Sequence, residues 1–416
     1  MFYIHVEVLL YNFKLGTLIK GGNFMKKKLA LFLTALFVTG AVTGCGKNTQ
    51  TTSSNGGAET IKIGLDYELS GQVATYGQSL VQGIELAFEE INKAGGVLGK
   101  QIEPVKVDNK SEPAEAANVA SKLVTRDKVV AILGPATSGN TKGAAPVAIQ
   151  NKVPLISASA TADDVTVDSN GKVREFIFKT CFSDSFQGVI MANFAYQDLG
   201  KKNAVLLVDS SSDYSKGLSK SFKETFEKFG GKVLSEEAYQ SKDTNFKAVL
   251  TNIKGLNPDV IYLPGYYEEV GLIIKQAREL GINIPILGGD GYESPKLVEL
   301  AGKSALNEVY FTNHYSSKDT SSEVVNFQKA FKDKYNKEPD AFNALGYDLA
   351  YFCVDALKRA GEADPMKLKD ALASTKDFKG VTGTITIDEN HNPIKSITIL
   401  QMKDGEQTFL KKLDAK

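Results

Sequence analysis

Two loops of small hydroxyl residues are the first groups in the sequence that could hold a ligand. The apolar segment VVAILG is followed by PATSGN (residues 135–140), where a helix is predicted to begin. A hydroxyl and exposed backbone N–H groups at a helix start suit a carboxylate, although Ser138 or Asn140 could equally serve only as the helix cap. After PLISAS, Ser159 and Thr161 offer further hydroxyls. Together the two loops could enclose both oxygens of a carboxylate.

The complementary group, a carboxylate that could bind an ammonium ion, is expected at Asp290. This residue follows the strand-like segment PILGG and precedes a glycine, so its side chain is predicted to stand uncrowded at a strand end. A solvated turn aspartate is the alternative. Tyr76, Tyr214 and Tyr266 occupy similar positions after other predicted strands. Each alone is better explained by packing, but together they could wall a ligand and stabilise its ammonium group by cation–π contact.

The elements that must position these residues alternate between short apolar strands and amphipathic helices from Ile61 onward. This alternation is typical of parallel sheets flanked by helices, whose ligands lie beyond the carboxyl ends of the strands. A second strand and helix series begins near Asn203, and a long helical region covers Glu323 to Ala360. The chain then ends in a predicted hairpin with Asp404-Gly405 at its turn. A length of 416 residues is enough for two α/β lobes.

Composition excludes several other classes of protein. The net charge of +0 offers no field for gathering nucleic acid, so no nucleic-acid partner is expected. Cys181 and Cys353 are predicted to be buried free thiols, with a disulfide between them as the alternative. The sequence lacks HExxH, GxSxG, CxxC and a complete phosphate loop, and it has only 3 histidines. We therefore expect no metal, no cofactor and no catalytic residue, and an enzyme is the weakest hypothesis.

The N-terminus has the pattern of a signal peptide followed by a lipid-attachment site. Three lysines and an apolar run precede Thr43-Gly44-Cys45, which resembles a bacterial lipobox. Residues 25–44 are therefore predicted to be a lipoprotein signal peptide, with lipidation at Cys45, and residues 45–59 a flexible tether. Residues 1–24 are interpreted as a mis-assigned start, because the charged region of the signal begins at Met25.

Ordered motifs along the chain from Ile61 to about Leu410 resemble the leucine/isoleucine/valine-binding proteins of ABC transporters. They include LSGQVATYGQSLVQGIELAFEEINKAGGVLGK, AILGPATSGNT, VPLISASATADDVT, FKTCFSDSFQG and PILGGDGYESPKLVELAG. The resemblance implies the α/β fold of the type I periplasmic-binding proteins, which has two Rossmann-like lobes joined by a multi-crossing hinge. Lobe I is expected to comprise residues 60–181 and 315–380, and lobe II residues 182–314 and 381–416.

The resemblance also implies a role for each candidate residue. The ligand carboxylate would be held by Ser138, Ser159 and Thr161, the ammonium by Asp290, Tyr214 and Tyr266, and the side chain by Tyr76 and Phe342. Asp290 is shorter than the glutamate of some relatives. Asn109 and Thr137 stand where other relatives carry a disulfide, so that brace is absent.

The expected function is therefore that of a lipid-anchored, extracytoplasmic substrate-binding protein of an ABC importer. It would capture a free amino acid, by default leucine, isoleucine or valine, as the lobes close, and deliver it to the membrane subunits of the transporter. We expect a monomer on the outer face of the cytoplasmic membrane of a Gram-positive bacterium. The alternative is a sensing receptor for another amino acid or a small amide.

Overall fold

Two helix-flanked sheets form the framework of the protein. The computed structural model describes residues 60–414, and the predicted leader, Cys45 and the tether lie outside these described residues. The strands are β1 (Thr60–Tyr67), β2 (Gln101–Asp108), β3 (Ala131–Leu133), β4 (Leu155–Ser157), β5 (Ile177–Lys179), β6 (Asn203–Asp209), β7 (Lys232–Tyr239), β8 (Val260–Tyr262), β9 (Ile286–Gly288), β10 (Val309–Asn313), β11 (Phe378–Gly380), β12 (Gly383–Ile387), β13 (Pro393–Ile394), β14 (Ile397–Lys403) and β15 (Glu406–Leu413).

The helices cover both faces of the sheets. They are α1 (Ala74–Lys93), α2 (Pro113–Lys122), α3 (Ser138–Asn151), α4 (Asp184–Asn193), α5 (Asp213–Lys228), α6 (Lys247–Leu256), α7 (Tyr267–Glu279), α8 (Pro295–Ala301), α9 (Ser322–Tyr335), α10 (Ala341–Ala360) and α11 (Pro365–Ala373). Short 3₁₀ turns occur at Asp163–Val165, Asp290–Tyr292 and Lys303–Leu306, and π-helical turns extend α2 and α4 at Leu123–Asp127 and Phe194–Asp198.

The first sheet has the order β2-β1-β3-β4-β5, with all neighbours parallel. Strands β3, β4 and β5 are buried throughout, as parallel strands covered by helices must be, and β1 is buried except near its start, whereas the edge strand β2 is partly exposed. In β1, Ile63 and Leu65 are fully buried on one face, while Gly64 lies against α2 on the other. A Cβ at Gly64 would stand 2.9 Å from Leu123 Cδ1, so the glycine permits this close packing.

The second sheet has the order β15-β14-β10-β9-β8-β6-β7. Strands β6 to β10 are parallel, whereas β14 and β15 add an antiparallel hairpin at the β10 edge. The hairpin turns at Asp404-Gly405, where both residues have positive φ. The predicted α/β fold with two sheet series is therefore confirmed, as is the predicted terminal hairpin.

Helices α9 to α11 return to the first sheet, so we define the first lobe as this sheet together with α1–α3, α9–α11 and β11–β13. The second sheet and α4–α8 form the second lobe. Helix α10 crosses α1 closely because glycines lie at the contact: a Cβ at Gly346 would be 2.1 Å from Leu80 O, and one at Gly83 would be 2.0 Å from Asn343 O. The start of α10 is fixed by a capping box between Asp340 and Asn343.

The chain passes between the sheets at residues 180–183, 314–321 and 395–396, which we call the first, second and third crossings. The expected lobe II includes residues 381–394, but these residues make contacts with the first lobe. Ile387 N donates to Thr375 O at 3.0 Å, and the His391 ring contacts Ile177 O at 3.0 Å. We therefore propose that the last change of lobe occurs at the third crossing rather than at residue 380.

Both cysteines within the described residues are buried and unbonded. Cys181 lies in the first crossing and Cys353 in α10. Burial raises the pKa of each thiol to about 12. These thiols are therefore protonated at neutral pH and act as small apolar side chains.

Candidate functional site

The wall contributed by the first lobe is organised by Glu68, which follows β1 and is 0% exposed. Its carboxylate accepts hydrogen bonds from Ala136 N at 3.0 Å, Thr137 N at 3.1 Å and Asn140 Nδ2 at 2.7 Å. These bonds fix the loop that leads into α3. The hydroxyl of Thr137 accepts from Asn140 N, so Thr137 is the N-cap of α3, and neither Ser138 nor Asn140 is.

The two hydroxyl-rich loops are joined to each other by reciprocal hydrogen bonds. Ser159 Oγ donates to Ala136 O at 2.8 Å, and Ser138 Oγ accepts from Ala162 N at 3.1 Å. The structure therefore brings the two predicted loops side by side. Thr161 is fully buried beside Asp184.

Asp290 lies on the opposite wall, in the turn that follows β9, and is only 3% exposed. Its Oδ1 accepts from Tyr214 OH at 2.9 Å and from Gln187 Nε2 at 3.1 Å, and its Oδ2 is 3.1 Å from His314 Nε2. The alternative interpretation of Asp290 as a solvated turn residue is therefore wrong. A buried carboxylate that is aimed into a cleft and held by three side chains can receive one further donor.

His314 is neutral at neutral pH. Burial lowers the pKa of His314 to about 4, although its hydrogen bond to Asp290 acts in the opposite direction. A neutral imidazole that donates Nε2–H to the Asp290 carboxylate adds no positive charge beside it. On the other oxygen, burial and the nearby Asp290 charge raise the pKa of Tyr214 well above its ordinary value, so the phenol also remains a neutral donor.

Four aromatic rings complete the walls between the two lobes. Tyr76 stacks on Phe342 from the first lobe at a centroid distance of 4.4 Å, and Tyr214 stacks on Tyr266 from the second at 5.1 Å. Tyr76 and Tyr266 meet edge to face at 5.8 Å, so the two pairs form one continuous aromatic surface. An apolar side chain or an ammonium group could contact such a surface.

These walls line a cavity with about 240 Å³ of space not filled by atoms, a volume that includes space open to solvent. It is lined by Tyr76, Ala136, Thr137, Ser159, Tyr214, Tyr266, Asp290, Gly291 and Phe342. Of the residues predicted from the sequence, Ser138 and Thr161 do not line it, and the other six do.

Sequence reasoning missed several residues of the site. Thr137 and Gly291 line the cavity beside predicted residues, and Glu68, Gln187 and His314 hold the lining in place. His314 was not among the residues predicted for the site, yet it contacts Asp290 directly. The only available sequence signal was its position directly after a predicted strand.

Several contacts connect the lobes around the cavity. Tyr76 OH donates to Gly291 O, and Thr75 Oγ1 is 3.1 Å from Ser294 Oγ. Farther out, Lys142 Nζ in α3 is 2.6 Å from Asp213 Oδ2 in α5. The two lobes are thus in contact on several sides of the cavity.

Within residues 60–414, no group of His, Cys, Asp and Glu side chains is arranged to hold a metal ion. The same part of the chain contains no helix that is both long and apolar enough to cross a membrane.

A two-lobed fold with a buried, ammonium-compatible cleft agrees with a family comparison. Residues 60–407 match the family model described as periplasmic binding protein. The chain belongs to the periplasmic binding protein family. Members of this family that resemble the chain are substrate-binding proteins of transporters and not enzymes.

Among its relatives is the leucine-, isoleucine-, valine-, threonine- and alanine-binding protein of Pseudomonas aeruginosa. It is 31% identical over 364 residues, covering 87% of this chain and 93% of the relative. The solved structure of LivJ from Streptococcus pneumoniae, a branched-chain amino acid transporter substrate-binding protein in complex with isoleucine, is 43% identical with a TM-score of 0.80. That alignment covers 86% of this chain and 100% of the other.

A leucine-binding protein, LivK from Thermotoga maritima, is 39% identical with a TM-score of 0.81. The alignment covers 85% of this chain and 99% of that structure. Residues 60–407, which the family model matches, include every residue that lines the cavity.

Proposed function

We propose that the protein captures a free branched-chain amino acid for an ABC importer. The observation that carries the proposal is the buried carboxylate of Asp290, which faces a cavity whose lining includes four aromatic rings. A buried carboxylate without a cationic partner is costly, and a ligand ammonium group would offset that cost. The leucine- and isoleucine-binding relatives support this class of ligand.

The ligand carboxylate is proposed to face the first lobe. The N-cap residue Thr137, its neighbour Ala136 and the Ser159 hydroxyl line the cavity there, so the N-terminus of α3 is directed at it. Helix N-termini stabilise anions through partial positive charge and backbone N–H groups. Ser138 and Thr161 are next to these residues in their loops, and they would reach the ligand after a small loop adjustment.

The side chain of the ligand is proposed to lie against Tyr76 and Phe342. Their stacked rings supply an apolar surface without a charged group, which favours an aliphatic side chain over a charged one. The cavity lining around Tyr76 and Phe342 therefore suits an amino acid with an aliphatic side chain.

Capture is proposed to proceed by closure of the lobes about the crossings. The ligand would touch Ser159 on one lobe and Asp290 on the other, so it binds the closed form better than the open form. Closure would also form the hydrogen bond between Tyr76 and Gly291 O.

Calorimetric titration of the purified protein with the common amino acids tests this proposal. Leucine, isoleucine or valine is expected to bind most tightly, and binding of none of the amino acids would refute it. Asp290→Asn keeps the side-chain size but removes the charge, which costs about 2–5 kcal/mol for a desolvated charge pair. This corresponds to a roughly 30- to 4,000-fold weaker affinity.

Asp209→Asn provides the matched control for Asp290→Asn. Asp209 is also buried at the end of a strand in the second sheet, but its carboxylate binds Ser211 and Ser241 and lies outside the cavity. Its replacement is expected to leave the ligand affinity unchanged. Equal losses in both variants would show that the effect of Asp290→Asn comes from general destabilisation.

Attachment to the membrane through a lipid on Cys45 is the remaining part of the proposal. The lysines before the apolar run and the small residues before Cys45 support it. Cys45→Ser is expected to abolish metabolic labelling with a fatty acid and to move the protein into the soluble fraction. Retention in the membrane without label would point to an uncleaved apolar helix.

A further inference from the structure

We infer that Gln187 is a positioning residue for ammonium recognition: its side-chain amide fixes both the carboxylate and the backbone of Asp290. This inference rests on the proposed function, because it concerns the same cavity. Gln187 itself does not line the cavity and is 0% exposed. Its influence on a ligand must therefore pass through Asp290.

Both ends of the Gln187 amide are engaged by Asp290. Nε2 donates to Asp290 Oδ1 at 3.1 Å, and Oε1 accepts from Asp290 N at 3.2 Å. A side chain that makes both bonds needs a hydrogen-bond donor and an acceptor attached to the same carbon, as in an amide. The two bonds together fix the rotation of the carboxylate relative to its own backbone.

The two hydrogen bonds between Gln187 and Asp290 form what we call the Gln187 clamp, and the backbone next to Asp290 leaves room for it. A Cβ at Gly289 would stand 2.6 Å from Tyr214 OH and 3.2 Å from Gln187 Oε1. Any larger residue there would displace two of the groups that hold Asp290. The same hydroxyl of Tyr214 also accepts from Gly291 N at 2.9 Å, so the turn is held on both sides of Asp290.

The clamp also ties the ammonium site to the crossings. Gln187 lies one turn into α4, directly after the first crossing, and its Oε1 accepts from Thr312 Oγ1 at 2.5 Å, just before the second crossing. His314, in the second crossing, binds the other oxygen of Asp290 and stacks on Phe182 of the first crossing at 3.6 Å. A ligand that binds Asp290 therefore acts on two of the three crossings between the lobes.

A second buried carboxylate makes the identity of residue 187 important. Asp184 Oδ1 lies 3.5 Å from Gln187 Nε2, so this amide nitrogen stands between the carboxylates of Asp184 and Asp290. Burial raises the pKa of Asp184 well above its ordinary value, and the nearby Asp290 charge acts in the same direction. An ionised acid at position 187 would add a like charge where a donor is needed.

The test is a double-mutant cycle in which leucine affinity is measured by calorimetry. Gln187→Leu is expected to weaken binding by about 10- to 100-fold, the effect of losing a hydrogen bond to a charged group. In an Asp290→Asn background the same change is expected to cost less than about 3-fold, because the group that Gln187 positions is already altered.

The pH dependence of leucine affinity in Gln187→Glu is a measurement that a merely structural role of Gln187 would not change. A protonated glutamic acid has the same shape as glutamine and again offers one donor and one acceptor. Relative to wild type, the affinity of Gln187→Glu is therefore expected to recover as the pH falls, whereas that of Gln187→Leu is not. Unfolding by urea, followed for each variant at each pH, verifies that folded protein is being compared.

Gln276→Leu is the matched control. Gln276 also clamps backbone from both ends of its amide, at Phe246 N and Thr244 O, in the same lobe but away from the cavity. It is expected to lower stability without changing leucine affinity. Wild-type affinity in Gln187→Leu, or an equal loss in the Asp290→Asn background, overturns the inference while leaving the proposed function intact. Absence of amino-acid binding by the wild type refutes both.

Discussion

Lys142 connects the two lobes at the rim of the cleft, and its replacement by methionine tests whether the observed arrangement is the ligand-holding one. Its ammonium group contacts Asp164 of the first lobe and lies 2.6 Å from Asp213 Oδ2 of the second. Burial lowers the pKa of Lys142, but the hydrogen bonds that its ammonium group donates to Asp164 and Asp213 outweigh this effect and raise the pKa overall. Lys142 is therefore charged at neutral pH.

The size of the effect follows from exposure. The side chain of Lys142 is 22% exposed and that of Asp213 is 41% exposed, so solvent screens the pair. Such pairs contribute about 0.2–1 kcal/mol, and the upper half applies here because Lys142→Met would also leave two carboxylates facing each other. A loss of about 0.5–1 kcal/mol corresponds to a roughly 2- to 5-fold weaker affinity, mainly through faster dissociation.

The assay is calorimetry and stopped-flow dissociation of leucine at two salt concentrations. At 1 M salt the Debye length is about 3 Å, so screening should reduce the difference in leucine affinity between Lys142→Met and wild type. Lys216→Met is the control. Lys216 Nζ lies 2.9 Å from Asp213 Oδ1, but both residues belong to α5, so this ion pair does not connect the lobes. Equal effects of the two variants, or a salt-independent effect of Lys142→Met, would refute the role of Lys142 between the lobes.

Two further predictions concern stability. The unfolded-state pKa of histidine is about 6.5, whereas that of His314 in the folded protein is about 4. As the pH falls, the unfolded state therefore takes up the proton before the folded state does. On acidification from pH 6.5 to pH 4, the free energy of unfolding of the wild type should fall by about 3 kcal/mol more than that of His314→Gln. Equal losses in urea unfolding would contradict this prediction. Gly346→Ala should lower the free energy of unfolding by about 1–3 kcal/mol or more, because the added Cβ would lie 2.1 Å from Leu80 O. Gly255→Ala is the control: an added Cβ there has no atom within 4 Å, so the substitution should be neutral or stabilising. Equal urea midpoints for the two variants would contradict this prediction.

The fold and one wall of the site were accessible from the sequence for a common reason. Carboxyl ends of neighbouring parallel strands meet at one edge, so residues that follow apolar runs are brought together whatever the strand order. This placed Asp290, Tyr214 and Tyr266 correctly beside the cavity. A glycine on each side of Asp290 was a sufficient local signal for a tight turn.

The supporting residues were not predictable because their partners are distant in the chain. Gln187 is 103 residues from Asp290, and Glu68 is 69 residues from Thr137. In the sequence each is one more polar residue at the start of a helix or the end of a strand. Only the relative position of the two sheets decides that these side chains are buried and which groups they bind.

The hydroxyl residues show how a shift of one position arises. The family resemblance assigns Ser138 to the ligand carboxylate, whereas in the structure Thr137 lines the cavity and caps α3. Glu68 determines this outcome, because it holds the N–H groups of Ala136 and Thr137 and so sets where the helix begins. A predicted helix start is uncertain by about this amount when its cap depends on a distant residue.

A crystal structure of the protein with bound L-leucine tests the central claim most directly. The account predicts that the ammonium group lies within hydrogen-bonding distance of Asp290, the carboxylate at the start of α3 beside Ser159, and the side chain against Tyr76 and Phe342. Leucine bound elsewhere, or bound here with its carboxylate toward Asp290, would contradict it.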